Sequence, residues 1–188
     1  FNSFNSVGGT LAKGKLNYYV FAQRKQGDGW RPNSQFHVNA GYAAVRYKFN
    51  EKFSVGAEYT FMDYLAHQPG GLTDAMFNKN PLQSIRARNW FAVNWNLAAL
   101  HADYNSSKNS LINFRAFGLI AGRDALGILD QITRADEGGY RNLLTDDFKN
   151  VGAELRFLQY YKTGKTASVF FSKPDPIRKS LLPCIKKT

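Results

Sequence analysis

The stretch Phe53-Ser54-Val55-Gly56-Ala57-Glu58-Tyr59-Thr60-Phe61-Met62 decides the fold class. Phe53, Val55, Ala57, Tyr59 and Phe61 are apolar, while Ser54, Gly56, Glu58, Thr60 and Met62 between them are mostly small or polar. A period of two belongs to extended chain, whose successive side chains point to opposite faces. The stretch therefore predicts a strand with one apolar and one mostly polar face. Asn50-Glu51-Lys52 before it reads as a tight hairpin turn, and Gln35–Phe49 as the partner strand. Both faces of that partner carry small or aromatic residues, so its outward face cannot be assigned from the sequence.

The same pattern recurs on either side. Leu16, Tyr18, Val20 and Ala22 alternate with Asn17, Tyr19, Phe21 and Gln23. Phe91, Val93, Trp95 and Leu97 alternate with Ala92, Asn94 and Asn96. Ile112, Phe114, Ala116, Gly118 and Ile120 alternate with Asn113, Arg115 and Phe117. Val151, Ala153, Leu155 and Phe157 alternate with Gly152, Glu154 and Arg156. On this reading Phe91, Val93, Trp95 and Leu97 share the apolar face with Val151, Ala153, Leu155 and Phe157. Glu58, Asn94, Asn113, Arg115, Glu154 and Arg156 take the polar one.

The connections alternate between short and long. Leu11–Lys15, Asn50–Lys52, Asn105–Asn109 and Tyr161–Lys165 are short; Gly27–Ser34, Leu65–Arg88 and Arg123–Asp147 are longer. Short turns on one rim and long loops on the other are the pattern of a membrane β-barrel. Tyr47, Phe49, Phe53, Tyr104, Phe157, Tyr160 and Tyr161 cluster near the short-turn ends, where an interfacial girdle would lie. The expected fold is all-β: an antiparallel up-and-down meander of about eight strands, part of a transmembrane barrel. A soluble β-sandwich with an aromatic core is the alternative, since its sheets alternate too. Ala125, Ile128, Leu129 and Ile132 have helical spacing behind Asp124, which predicts a short helix near 124–134.

The chain has 188 residues, a formal net charge of +11, 15% aromatics and one cysteine, Cys184. A single cysteine excludes an internal disulfide framework and a cysteine-only zinc site. No apolar run reaches the length of a membrane-spanning helix. Phe1–Ser6 reads like a strand cut open, so the chain is expected to begin inside a longer protein. Residues 1–172 carry the strand pattern. Residues 173–188, starting with Lys173-Pro174-Asp175-Pro176, abandon it for a basic tail, which reads as foreign to the barrel. The basic charge forms no nucleic-acid motif, and no nucleic-acid partner is expected.

Further resemblance lies in longer runs. Gly14-Lys15-Leu16-Asn17-Tyr18-Tyr19 through Gly29-Trp30-Arg31 resembles the barrel of TonB-dependent outer-membrane receptors. So does Gln68-Pro69-Gly70-Gly71-Leu72-Thr73-Asp74, followed by Arg86-Ala87-Arg88-Asn89-Trp90-Phe91. Ile132-Thr133-Arg134, Gly138-Gly139-Tyr140-Arg141-Asn142-Leu143 and Asp147–Arg156 are similar to the ferric-dicitrate subgroup. The resemblance covers about residues 1–170. It implies a large barrel of about 22 strands closed by a plug domain. It also implies outer-membrane lipid around the barrel, an anionic iron chelate as cargo, and coupling to the TonB system through N-terminal parts outside this sequence. The chain would then be one part of such a receptor, not functional alone. A complete small outer-membrane barrel with a structural or adhesion role is a further alternative, as is a soluble β-rich binding module.

Guanidinium groups suit an anionic chelate, because they combine charge with planar hydrogen-bond forks. Arg86 and Arg88, where a long loop re-enters the sheet, and Arg31, Arg123 and Arg141 on or near the other long loops are the candidate substrate-binding residues. The competing reading pairs these arginines with rim acids such as Asp74, Asp124, Asp130 or Asp136. His67 stands in a long loop where a metal contact is imaginable, but His67, His37 and His101 are scattered, and no metal site or cofactor is expected. No nucleophile–His–acid arrangement, phosphate loop or CxxC motif is present, so no catalytic activity is expected.

Overall fold

The computed structural model describes residues 1–127, 131, 133–164, 166–172 and 177–181. They form a single sheet. Its strands are β1 (Asn2–Leu11), β2 (Leu16–Gly27), β3 (Phe36–Lys48), β4 (Phe53–His67), β5 (Trp90–Ser107), β6 (Ser110–Gly127), β7 (Asn142–Thr163), β8 (Thr166–Ser172) and β9 (Ile177–Leu181). β1 to β8 pair antiparallel in simple neighbour order, while β9 pairs with Lys149–Ala153 of β7, beyond the stretch that β8 occupies. The expected meander is present, and Phe53–His67 lies against Phe36–Lys48 as the hairpin turn requires. No second sheet covers either face among the described residues. Among the described residues no helix is long and apolar enough to cross a membrane.

Directly paired residues project to the same side, so the register assigns every strand a face. Ala57 opposes both Val45 and Leu100, Leu100 opposes Ala116, and Ala116 opposes Ala153. The outer face built on this row is an apolar band. It runs from Phe53 to Phe61 on β4 and from Ile112 to Ile120 on β6, about nine residues tall, close to what a tilted membrane strand needs. Leu100, Ile120 and Val151 on it are 61%, 63% and 59% exposed. Tyr47, Phe53, Tyr104, Phe157 and Tyr161 border the band at the short-turn end, while Tyr160 points to the opposite face. Phe49 packs edge-on to Tyr47 at 4.9 Å and stacks on Phe53 at 5.4 Å.

Burial collects on the other, inner face, at Ser54, Ala99, Ala121, Ala125 and Asp146. Arg46 pairs with Asp103, and Arg115 on β6 reaches across β5 to Glu58 on β4. Arg156 grips Glu154 with two bonds of 2.9 and 2.8 Å, and the Tyr42 hydroxyl donates to Glu58 at 3.1 Å. Opposite charges brought together on this face satisfy one another by charge-assisted hydrogen bonds.

Two expectations are corrected. Phe91, Val93, Trp95 and Leu97 lie on the inner face, opposite Ala125, Arg123, Ala121 and Leu119, whereas Val151, Ala153, Leu155 and Phe157 lie on the outer one. Asn94 is accordingly outward. The large residues of β5 occupy its long-loop half, where side-chain size does not report which face is outward. Its phase is set by pairing with β4, which turns Ala98, Leu100, Ala102 and Tyr104 outward. The helix expected near 124–134 is also absent among the described residues. Asp124–Gly127 continue β6, paired on one side with Trp90–Ala92 and on the other with Asn142–Thr145, and two ladders outweigh a weak helical spacing. Ile128, Leu129, Asp130 and Ile132 lie outside the described residues. The helix that does form, α1 (Asp74–Lys79), sits in the preceding long loop. The Thr73 hydroxyl accepts the Met76 N–H there, Asp74 stands in its first turn and Lys79 in its last. Of the proposed tail, Ile177–Leu181 form β9, and residues 173–176 and 182–188 are outside the described residues.

Candidate functional site

The long loops meet above the rim at which β2, β4 and β6 end, and the candidate arginines fasten them together. Arg31 donates to the carbonyls of Gly70 and Gln83 in the second loop and lies over the Trp30 ring at 5.3 Å. Arg86, 4% exposed, donates to the Arg134 carbonyl at 3.0 Å and to the Gln131 carbonyl, joining the second loop to the third. The Asp136 N–H donates to the Ile85 carbonyl at 2.8 Å beside it. Arg88 makes a two-bonded pair with Asp136 at 3.0 and 2.9 Å. Arg141 contacts the same carboxylate, and its other nitrogen donates to the Gly138 and Tyr140 carbonyls. Arg123 lies apart from this group, pairing with Asp146 across the β6–β7 ladder with Phe148 at 5.8 Å.

The structure thus brings Arg86, Arg88 and Arg141 into one cluster, with Arg134 beside them, and leaves Arg31 and Arg123 on its flanks. Asp136 is the carboxylate that Arg88 and Arg141 share. Burial, with the charges of Arg88 and Arg134, pushes the Arg141 guanidinium below its ordinary pKa. Its Nε–H is buried and finds no acceptor among the described residues. Arg88 and Arg123 keep 45% and 43% of their side chains exposed while pairing with Asp136 and Asp146.

Two asparagines that sequence reasoning did not single out complete the loop layer. Asn33, with a φ of +58°, donates to the Gln68, Arg86 and Asn89 carbonyls at 3.2, 2.7 and 3.2 Å. Its side-chain oxygen meets His67 Nδ1 at 2.9 Å, which occupies the histidine for which a metal contact was imaginable. Asn89 is fully buried against Gly127, whose φ is +128° and where an added Cβ would stand 1.9 Å from the asparagine oxygen. The Pro32-Asn33 pair in a glycine-containing loop was the available signal for Asn33, since asparagine tolerates the left-handed region. Nothing local marks Asn89. No group of three or more metal-ligating side chains occurs among the described residues.

No protein-family model matches the sequence, and no curated protein matches it. A solved structure does match in shape: the unliganded ferric citrate transporter FecA, with a TM-score of 0.78 at 19% sequence identity. The alignment covers 100% of this chain and 30% of that one, so the chain spans less than a third of its neighbour. At this identity the likeness is one of fold: the chain has the architecture of a section of β-barrel wall.

Proposed function

We propose that the chain is one section of the wall of an outer-membrane receptor that takes up an anionic iron chelate such as ferric citrate, and that it acts only within the complete receptor. The observation that carries this is the two-sided sheet, with an apolar band of membrane height outside, a charged face inside, and an arginine cluster at the long-loop rim. The protein whose wall it resembles is a ferric citrate transporter, which supports the choice of cargo. The apolar band would meet lipid, and the opposite face would line the lumen or meet a plug. Energy would come from the TonB system through parts of the receptor outside this chain. At the rim, carboxylates of the chelate would compete with Asp136 for Arg88 and Arg141. Guanidinium forks hold such groups by charge-assisted hydrogen bonds without altering them, so the activity is transport and not catalysis.

Uptake of radiolabelled ferric citrate by cells carrying the complete receptor tests this. An Arg88→Ala, Arg141→Ala double variant is expected to lower uptake by roughly tenfold or more, the scale of losing one charged hydrogen bond. Undiminished uptake would remove these arginines from the path, and no uptake by the unmodified receptor would remove the chelate.

A further inference from the structure

The opposite rim differs in charge chemistry. Its four short turns carry Lys13 and Lys15, Lys48 and Lys52, Lys108, and Lys162, all exposed. Among the described residues Glu51 is the one acid in these turns, and none of the six lysines makes an ion pair. The cations of the long-loop rim, by contrast, are mostly arginines already engaged by carboxylates and carbonyls. Lys15, Lys48 and Lys52 converge on a cavity of about 650 Å³, lined also by Arg46, Ser54 and Asp103. Arg46 is matched there by Asp103 and donates to Ser54 at 3.0 Å, which leaves Glu51 alone against three ammonium groups.

We infer that this cavity and its rim are a docking site for an acidic polypeptide segment, lying against the inner face across the short turns. Three features select that occupant. The site is positive, so its ligand is anionic. Successive short turns are two strands apart, about 9–10 Å, so the four turns span roughly 30 Å. A compact anion such as phosphate would meet one turn, whereas an extended segment of about nine residues reaches all four. Lastly, Lys48 faces the same side as Ser54, away from the apolar band, so the cavity opens where lipid is not. Lysine suits the task, being a mobile point charge that can follow carboxylates scattered along a chain. The inference rests on the inner and outer faces of the sheet and not on the iron-chelate reading.

The test uses the full 188-residue chain refolded in a zwitterionic detergent and a fluorescein-labelled decapeptide of alternating Glu and Ser, followed by fluorescence anisotropy. Saturable binding is expected, weakening about tenfold or more between 50 and 300 mM salt, roughly as screening of several charges requires. A Lys15→Gln, Lys48→Gln, Lys52→Gln variant should bind about tenfold more weakly or worse, the corresponding arginine variant as well as the unmodified chain, and Lys79→Gln in the exposed helix of the far loops without change. The Gln-for-Glu peptide should not bind the unmodified chain, a control that needs no variant to refold. Absent binding, equal binding by the triple glutamine variant, or binding of the neutral peptide would each overturn the proposal. So would displacement of the peptide by phosphatidylglycerol vesicles that bind through the same lysines, which would make the rim a lipid-headgroup surface instead.

Discussion

Arg86 holds the loop layer in place from a buried position, where its guanidinium donates to the Arg134 and Gln131 carbonyls. Such bonds to an ionised donor contribute about 1.5–3 kcal/mol each. Replacing Arg86 with Ala is expected to destabilise the chain by about 2–4 kcal/mol, since it removes two of them from a buried side chain. Lysine should rescue little, because one ammonium cannot reproduce a planar fork that serves the Arg134 and Gln131 carbonyls together. Limited proteolysis supplies the check: cleavage should quicken in both 68–89 and 128–141. Quickening in neither loop, with an unchanged unfolding midpoint, would mean that Arg86 fastens nothing. Gly127 belongs to the same device. Its missing side chain is what admits the Asn89 amide, and its positive φ is one that glycine adopts without strain.

At the level of elements, each long strand is divided by height. On β5 the outward residues are Asn94 and Asn96 near the long loops, then Ala98, Leu100, Ala102 and Tyr104 toward the short turn. If the lower half faces lipid, the cost of a charge there should depend on depth. Leu100→Arg, in the row of Ala57 and Ala116, should cost about 2–4 kcal/mol when the chain is folded into bilayers, and Asn96→Arg about 0–1 kcal/mol. Urea titration of both variants in phosphatidylcholine vesicles measures the difference. Equal costs would show that the band has no lipid side. The same division bears on the phase of β5: Trp95 is the larger residue, but Leu100 stands at mid-band, opposite Ala57 and Ala116.

For the molecule as a whole, the sheet has two ends. β1 and β8 are the terminal strands of the order and do not pair with one another among the described residues. An open sheet presents unpaired backbone groups along its edge, which template association with other chains. Its outer face also exposes an apolar band far broader than the patch of a few hundred Å² normal for a soluble monomer. The isolated chain should therefore sediment as an aggregate without detergent and become monodisperse with it. A monodisperse, detergent-free monomer in analytical ultracentrifugation would contradict the barrel-wall architecture. The isolated chain is also expected to show no saturable calorimetric binding of ferric citrate. On the proposed reading the receptor's site is assembled from loops around a whole barrel, most of them outside this chain, and ordering the loops present costs about 1–2 kcal/mol per residue fixed.

What the sequence determined by itself was whatever depends on local periodicity and on turns. Phe53–Phe61, Ile112–Ile120 and Val151–Phe157 announced strands with an apolar side because a pleated chain repeats every two residues, and the alternation of short and long connections announced the meander. It also held the arginines that cluster at one rim, and it offered Asp136 among their partners. It could not hold the phase of β5 or the continuation of β6 through Asp124–Gly127, because both are set by partners distant in sequence: Ala57 against Leu100, and Asn142–Thr145 against the end of β6. The gathering of Arg86, Arg88 and Arg141 around the third loop, and of Lys15, Lys48 and Lys52 around one cavity, is likewise decided by tertiary structure. Neighbour pairing brings together turns and loops that lie tens of residues apart, and no short stretch of chain encodes that meeting.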